Sequence, residues 1–574
     1  MSGEHDAYVK DSVSTHAFLW PFTFSGEKPG DCPFDYDKEH PEKSPAKNWE
    51  IDKGLESDEN KDDRLLDAYM KAQYFNRQTR EIFVGKPAQA MAPAPPCTRF
   101  RYAVHGLQYL IEGATSDQCY YLPVHQIRLF LFHPCGVGVL VIEAYNTAYP
   151  ELGDITRIND LGRRIRLPFI PRKAGGKIIC ANRLGIIRDN DWHCVDFRGI
   201  ADDPPDDVKP LLDPPDFVYE LLGGTLGTNE PLNEKLKEVV FPASDDRMFL
   251  VSLIKDNEFS SLLSASETGV DHLLYGGDSE TDEDKGLRDK LYSTVFADSD
   301  GPTCQNSRMQ KQLLKKTVYP RWSRYGTLYV TTNLSVMCVT ERDNESIIES
   351  VYRAFLTEYM DMAVLVLAQR VSIESFAKEA SDIVKGAEKR GLLDPKQIED
   401  IIDLHERYVT WQNRINLFEV TDQEQGVEIY ARMREQMGVN GRIKELAEQL
   451  EDMYSIANVN QNTRTNKSVV WWAYAAIVVD VFLNLACFML ELTESGKGFT
   501  ATAGAESSEL AKGIWWIADW GSWPGRFQPL SICIILYAIY WLWKSKNRKA
   551  EDLKAGDPQP EQVKKIAKGD VENE

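Results

Sequence analysis

The chain has 574 residues, 43% of them hydrophobic and 27% charged, so it has room for two or more domains and reads for the most part as ordinary globular protein. Its formal net charge of −22 argues against general nucleic-acid binding, which needs clustered cations, and no direct DNA or RNA partner is expected. The 10 Cys are scattered without a C-x-x-C pair, which excludes a dense disulfide framework and points to reduced thiols in a cytosolic compartment.

Residues 1–98 form a polar region broken by Pro and Gly. Its start, "MSGEHDAYVKDSVSTH", lacks the basic-then-apolar pattern of a secretory signal. Within it "DDRLLDAYMKAQYFNRQTREIF" predicts one amphipathic helix, and "KPAQAMAPAPPC" an extended Pro/Ala linker. Residues 99–342 are expected to form a cytoplasmic α/β domain. "HQIRLFLFHPCGVGVLVIEAY" predicts two strands around a Pro/Gly turn. "DRMFLVSLI" predicts another strand, and "YGTLYVTTNLSVMCVTE" a hairpin. "GIADDPPDDVKPLLDPPD" and "GGDSETDEDKG" read as solvated acidic loops; the second also has the carboxylates a hard cation prefers.

Several stretches of this domain bear on chemistry. "LLGGTLGTNEP" is Gly-rich but lacks the Lys and spacing of a phosphate loop. His133 and Cys135, with His193 and Cys194, could meet as metal ligands, or sit as buried residues beside turns. Lys315, Lys316, Arg321, Trp322 and Arg324 form a basic and aromatic stretch. It suits a nucleotide, by phosphate pairing and base stacking, or it is a solvated helix end leading into a strand. No catalytic constellation and no required cofactor is read from the sequence, so an enzyme is not expected.

Residues 343–468 predict a helical domain and stalk. The helical pattern breaks at "GLLDPKQ", resumes from about 396 to 418, and resumes again after "EVTDQEQG", where Thr421 and Glu424 match a capping box. A last helix from about Arg442 runs without Gly or Pro up to Gly496, giving a rise of about 75 Å to Leu492. Residues 469–492 are long and apolar enough for a first transmembrane helix, residues 493–526 an extracytoplasmic loop, residues 527–543 a second span, and residues 544–574 a charged cytoplasmic tail. Lys and Arg flank the outer ends of the pair, which predicts an inner (plasma) membrane protein with both termini cytoplasmic.

Asp480, Asn484 and Glu491 fall within about 40° on a helical wheel. Ala473 and Ile477 share that face, and Asn466 and Asn462 continue it backward. A carboxylate at bilayer depth must face water, a partner or protein, so these seven residues are expected to line a path shared by several copies. Asp480, Asn484 and Glu491 would then meet a cation in transit; the alternative is that they bond a neighbouring helix.

This order of an α+β cytoplasmic domain, long α-helices, a stalk helix and a two-span C-terminal hairpin resembles the CorA family of magnesium and divalent-cation channels. The likeness is carried by "LHERYVTWQNRINLFEVTDQEQGVEIYARMREQMGVNGRIKELAEQLEDMYSIANVNQNTRTNKSV" and covers roughly residues 325–549. The resemblance implies a homopentamer in a lipid bilayer, conducting a divalent cation such as Mg2+ and gated by its cytoplasmic domain. The family's Gly-Met-Asn signature is missing; "CFMLELTESGKG" stands there. That departure and the large N-terminal domain resemble a CRISPR-associated branch, which implies an alternative: an antiviral membrane effector that binds a small nucleotide signal and compromises membrane integrity.

Overall fold

One strand near the N-terminus, β1 (Ser14–Phe24), is buried on both faces and organises what surrounds it. Strand side chains alternate, so Ala17 and Leu19 enter one apolar core while Phe18, Trp20 and Phe22 enter the other. Each of these large side chains contributes about 1.5–3 kcal/mol by leaving water. The computed structural model describes residues 11–24, 48–52, 63–85, 95–115, 118–189, 191–207, 209–226, 232, 235–265, 269–276, 281–343, 348–388 and 393–502. The chain divides into two units, Met1–Asn460 and Gln461–Glu574.

The first unit holds the sheet. Its other strands are β2 (Trp49–Ile51), β3 (Cys97–Tyr102), β4 (Leu107–Glu112), β5 (Cys119–Phe132), β6 (Val137–Asn146), β7 (Arg183–Arg188), β8 (Asp191–Asp196), β9 (Val240–Pro242), β10 (Phe249–Lys255), β11 (Val318–Tyr319), β12 (Leu328–Thr331) and β13 (Ser335–Thr340). They pair in the order β11-β12-β13-β10-β1-β6-β5-β4-β7-β8, with β2 on β3, β3 on β5 and β9 on β1. Strands β10 and β13 run parallel. The expected pair around a turn is β5 and β6, joined through His133–Cys135 and closed at Gly136, whose φ of 61° suits glycine. The expected hairpin is β12 and β13.

Helices cover both faces. Met360–Glu388, Pro395–Arg414, Glu424–Gln436 and the base of Val439–Thr502 share the core of Ala17 and Leu19. Leu152–Gly162, Asp216–Gly223, Asn257–Ser264 and Asp282–Phe296 share the other. A charge cluster is buried between sheet and helix on the first face. Asp361 accepts from Arg128 of β5 at 3.1 Å and from Lys71 of the helix Asp63–Tyr74 at 2.5 Å. Arg128 also lies 3.9 Å from Glu143 of β6. Two π-helical turns, Ile348–Tyr352 and Phe355–Tyr359, lead into this point.

Local expectations are corrected in three places. The N-terminal helix is two, Asp63–Tyr74 and Arg77–Phe83, because Asn76 caps the second by accepting from Thr79 N–H at 3.0 Å. Thr421 is not a helix cap; its hydroxyl donates to the Tyr74 carbonyl, and Gln423 precedes the helix Glu424–Gln436. Part of "GGDSETDEDKG" is helical, since Thr281 and Asp284 close a capping box on Asp282–Phe296.

The larger correction concerns the expected two-span hairpin, and with it the membrane-protein expectation and the placement in an inner membrane with both termini cytoplasmic. Among the described residues no helix is long and apolar enough to cross a membrane. Residues 469–492 lie inside one continuous helix, Val439–Thr502, which passes Gly496 and Gly498 instead of turning outward at Leu492. Its apolar run is interrupted by Asp480 and Asn484, and a carboxylate at bilayer depth costs several kcal/mol. The expected second span, 527–543, and the tail, 544–574, lie outside the described residues.

Candidate functional site

The sheet ends at β8, and what packs against that edge strand leaves a hollow. The segment "LLDPPDFVYELLGG" makes the opposite wall. Pro214 and Pro215 hold the backbone extended, Pro215 caps the helix Asp216–Gly223, and Gly224 ends it with a φ of 67°. Phe217, Val218, Tyr219, Leu221 and Leu222 are buried on that helix, which turns Glu220 toward β8. Between the two walls lies a cavity of about 540 Å³.

Trp192, Phe197, Phe217, Leu167 and Leu211 give it apolar walls; Glu220, Asp213, Asp216, Lys237 and Arg166 give it charge, and the His193 ring lies among them. His193 Nδ1 lies 2.7 Å from Glu220 Oε2 and its Nε2 lies 3.1 Å from Asp191 Oδ2. Trp192 is half-exposed, with the Arg183 guanidinium 5.1 Å from its ring centre. Arg183 is itself fixed by Glu112 at 2.6 Å. The guanidinium of Arg166 donates to the backbone carbonyls of Leu212, Ser244 and Asp245, and burial lowers its pKa. Lys237 Nζ stands 3.0 Å from Asp216 Oδ1.

These contacts bear on catalysis. Both ring nitrogens of His193 face carboxylate oxygens, so the ring reaches a substrate proton only after losing one of them. Burial pushes the Cys194 thiol up to about 11, so it is a thiol at neutral pH and a poor nucleophile. The metal expectation for His133, Cys135, His193 and Cys194 fares no better. His133 Nε2 lies 2.7 Å from Thr98 Oγ1, and the Cys135 thiol, pushed by burial up to about 12, donates to the Phe132 carbonyl. Among the described residues no group of three or more His, Cys, Asp or Glu is placed to hold a metal ion.

Among the residues expected to bind a nucleotide, Arg321 and Trp322 stack on each other, and much of the hydrogen bonding of the set is internal. Arg321 pairs with Glu424 at 3.0 Å and Glu428 at 2.9 Å, and Trp322 Nε1–H donates to Gln425 at 2.6 Å. Lys315 lies 5.4 Å from the Tyr275 ring centre, and Lys316 gives its carbonyl to Gln436. Arg324 lies in the turn Ser323–Tyr325 beside them. The seven residues expected to line a path all sit on Val439–Thr502. Ala473 and Ile477 are exposed, Ile477 by 59%; the side chains of Asn462, Asn466, Asp480, Asn484 and Glu491 lie outside the described residues.

Sequence reading named His193 and Cys194 but missed Trp192, Glu220, Asp216 and Lys237 as their companions. The one available signal was the pair of prolines between acids in "DPPD", which stiffens a wall where a solvated loop was expected. No family model, no curated protein and no solved structure matches the chain.

Proposed function

We propose that this chain is a small-molecule-binding protein, with its ligand site in the cavity between β8 and the helix Asp216–Gly223. The observation that carries this reading is the cavity itself: about 540 Å³, walled by aromatic and aliphatic side chains together with Arg166, His193, Asp213, Asp216, Glu220 and Lys237. Ligand sites are of this size, with apolar surface supplying affinity and polar groups fixing orientation. Binding without turnover is favoured because His193 is held between two carboxylates and Cys194 is held as the thiol.

Ion conduction is not part of this reading, because among the described residues no helix is long and apolar enough to cross a membrane. Self-association, which the CorA resemblance implies, is a separate proposal, tested by the mass of the chain in solution. A nucleotide signal is less well supported, since Arg321 is committed to Glu424 and Glu428, and Arg166 to backbone carbonyls.

Ligand-observed NMR with a set of aromatic fragments tests the reading. Fragments should bind the full chain and lose most of their signal against Trp192→Ala/Glu220→Ala, with the fold intact by circular dichroism. Equal binding to both proteins would remove the cavity from the account.

A further inference from the structure

We infer that the cavity is built for a small organic cation, an ammonium or guanidinium on an apolar body, and that Lys237 occupies the ligand's charge position from within the chain. The inference rests on the cavity being a ligand site. It adds the class of ligand and a built-in competitor.

The charge lining the cavity is unevenly available. Asp213, Asp216 and Glu220 are its acids, Glu220 already engaged by His193 at 2.7 Å, and Arg166 and Lys237 are its fixed cations. Arg166 is spent on the carbonyls of Leu212, Ser244 and Asp245, so it holds two stretches of wall together. Lys237 is held differently. Its ammonium lies 3.0 Å from Asp216 Oδ1 and 5.7 Å from the centre of the Tyr219 ring. Tyr219 is itself buried and lies outside the cavity lining, so what an incoming ammonium reaches is the Asp216 carboxylate on the cavity wall, with Trp192 as the exposed aromatic side chain of that lining.

The contact is also weak enough to exchange. The Asp216 side chain is 70% exposed and that of Lys237 is 30% exposed, and exposed pairs of this kind contribute little to stability. A ligand cation arriving with its own apolar body, set against Trp192 and Phe217, can therefore take Asp216 from Lys237. An anion meets the reverse: three acids line the wall, and the bases already have partners.

Two probes with the same indole body and opposite heads test this: tryptamine and indole-3-propionate, titrated calorimetrically into the full chain, Lys237→Met and Asp216→Asn. Tryptamine should bind the wild type, bind Lys237→Met about three- to tenfold more tightly, and bind Asp216→Asn about tenfold more weakly, a shift of about 1.4 kcal/mol. Indole-3-propionate should bind weakly or not at all. Tighter binding of the propionate than of the amine would overturn the ligand class while leaving the cavity reading intact. Amine binding unchanged or weakened in Lys237→Met would overturn the competitor role. Failure of both probes and of the aromatic fragments would take the cavity reading down as well.

Discussion

Two sets of paired charges in this molecule use the same chemistry and have opposite consequences. At Asp361 a carboxylate with 1% exposure meets Arg128 and Lys71 between sheet and helix. At Asp216 a carboxylate with 70% exposure meets Lys237 at a cavity. Water decides the difference. A charge taken out of water must keep its partner, because loss of that partner leaves an uncompensated ion in a poorly polarisable medium. A charge still in water can change partners at little cost. The first set therefore joins β5, β6 and two helices into one body, and the second is free to serve a ligand.

The largest expected effect tests the first half of that contrast. Asp361→Asn keeps the shape and removes the charge, leaving Arg128 and Lys71 facing an amide. The chain should lose about 3 kcal/mol in urea unfolding, and adding Lys71→Met should return part of it. A loss under about 1 kcal/mol would mean that Arg128 and Glu143, 3.9 Å apart, already compensate each other.

A buried polar group without a formal charge should behave like Asp361 and not like Asp216. His16, fully buried on β1, lies 2.7 Å from Asn159 Oδ1 through Nδ1 and 2.9 Å from Ser14 Oγ through Nε2. One nitrogen donates and the other accepts, which suits the neutral ring. Burial holds its pKa down from 6.5 to about 4, with the Asn159 contact opposing. The unfolded chain thus binds a proton that the folded chain refuses. The stability contributed is fully present above pH 6.5 and is lost as pH falls toward 4. Between pH 7 and pH 5 this amounts to about 2 kcal/mol. His16→Gln should flatten that part of the pH–stability curve, and a curve of unchanged slope would place the titrating group elsewhere.

How much of this could be read beforehand depends on how local each signal is. Strands β5 and β6, the turn at Gly136 and the hairpin β12–β13 follow from short apolar runs and turn residues, and the sequence predicts them. Strand β1 was hidden in a region taken as polar, and Pro21 argues against a central strand. The topology explains why proline is tolerated there. Pairing with β10 ends at Leu19 and pairing with β9 begins at Phe22, so Pro21 falls in the gap between the two neighbours. Beyond the prolines of "DPPD" the cavity had no local signature, since Arg166, His193, Glu220 and Lys237 meet only when distant segments fold together. The stretch around Arg321 was legible in composition, but its acidic partners stand about a hundred residues onward.

That last pairing supplies the smallest expected effect and the finest test of the contrast. Arg321 is one-third exposed, and its partners Glu424 and Glu428 are more open still. The Tyr319 hydroxyl donates to Glu428 and the Arg321 guanidinium sits beside it, and together they hold the Glu428 carboxyl below the usual range. These are good contacts, yet water competes for every atom in them. Arg321→Gln should shift the urea midpoint only slightly, and that shift should shrink as salt rises, because screening acts on charges that solvent can reach. The Asp361→Asn loss should be nearly indifferent to salt, because its charges are dry. Glu424 and Glu428 also neutralise a guanidinium that a phosphate would otherwise take. The double variant Glu424→Gln/Glu428→Gln should therefore gain affinity for ADP that the wild type lacks. If the wild type binds ADP as well as the variant does, the pairs at Arg321 are exchangeable like the one at Asp216, and the molecule has a second open site.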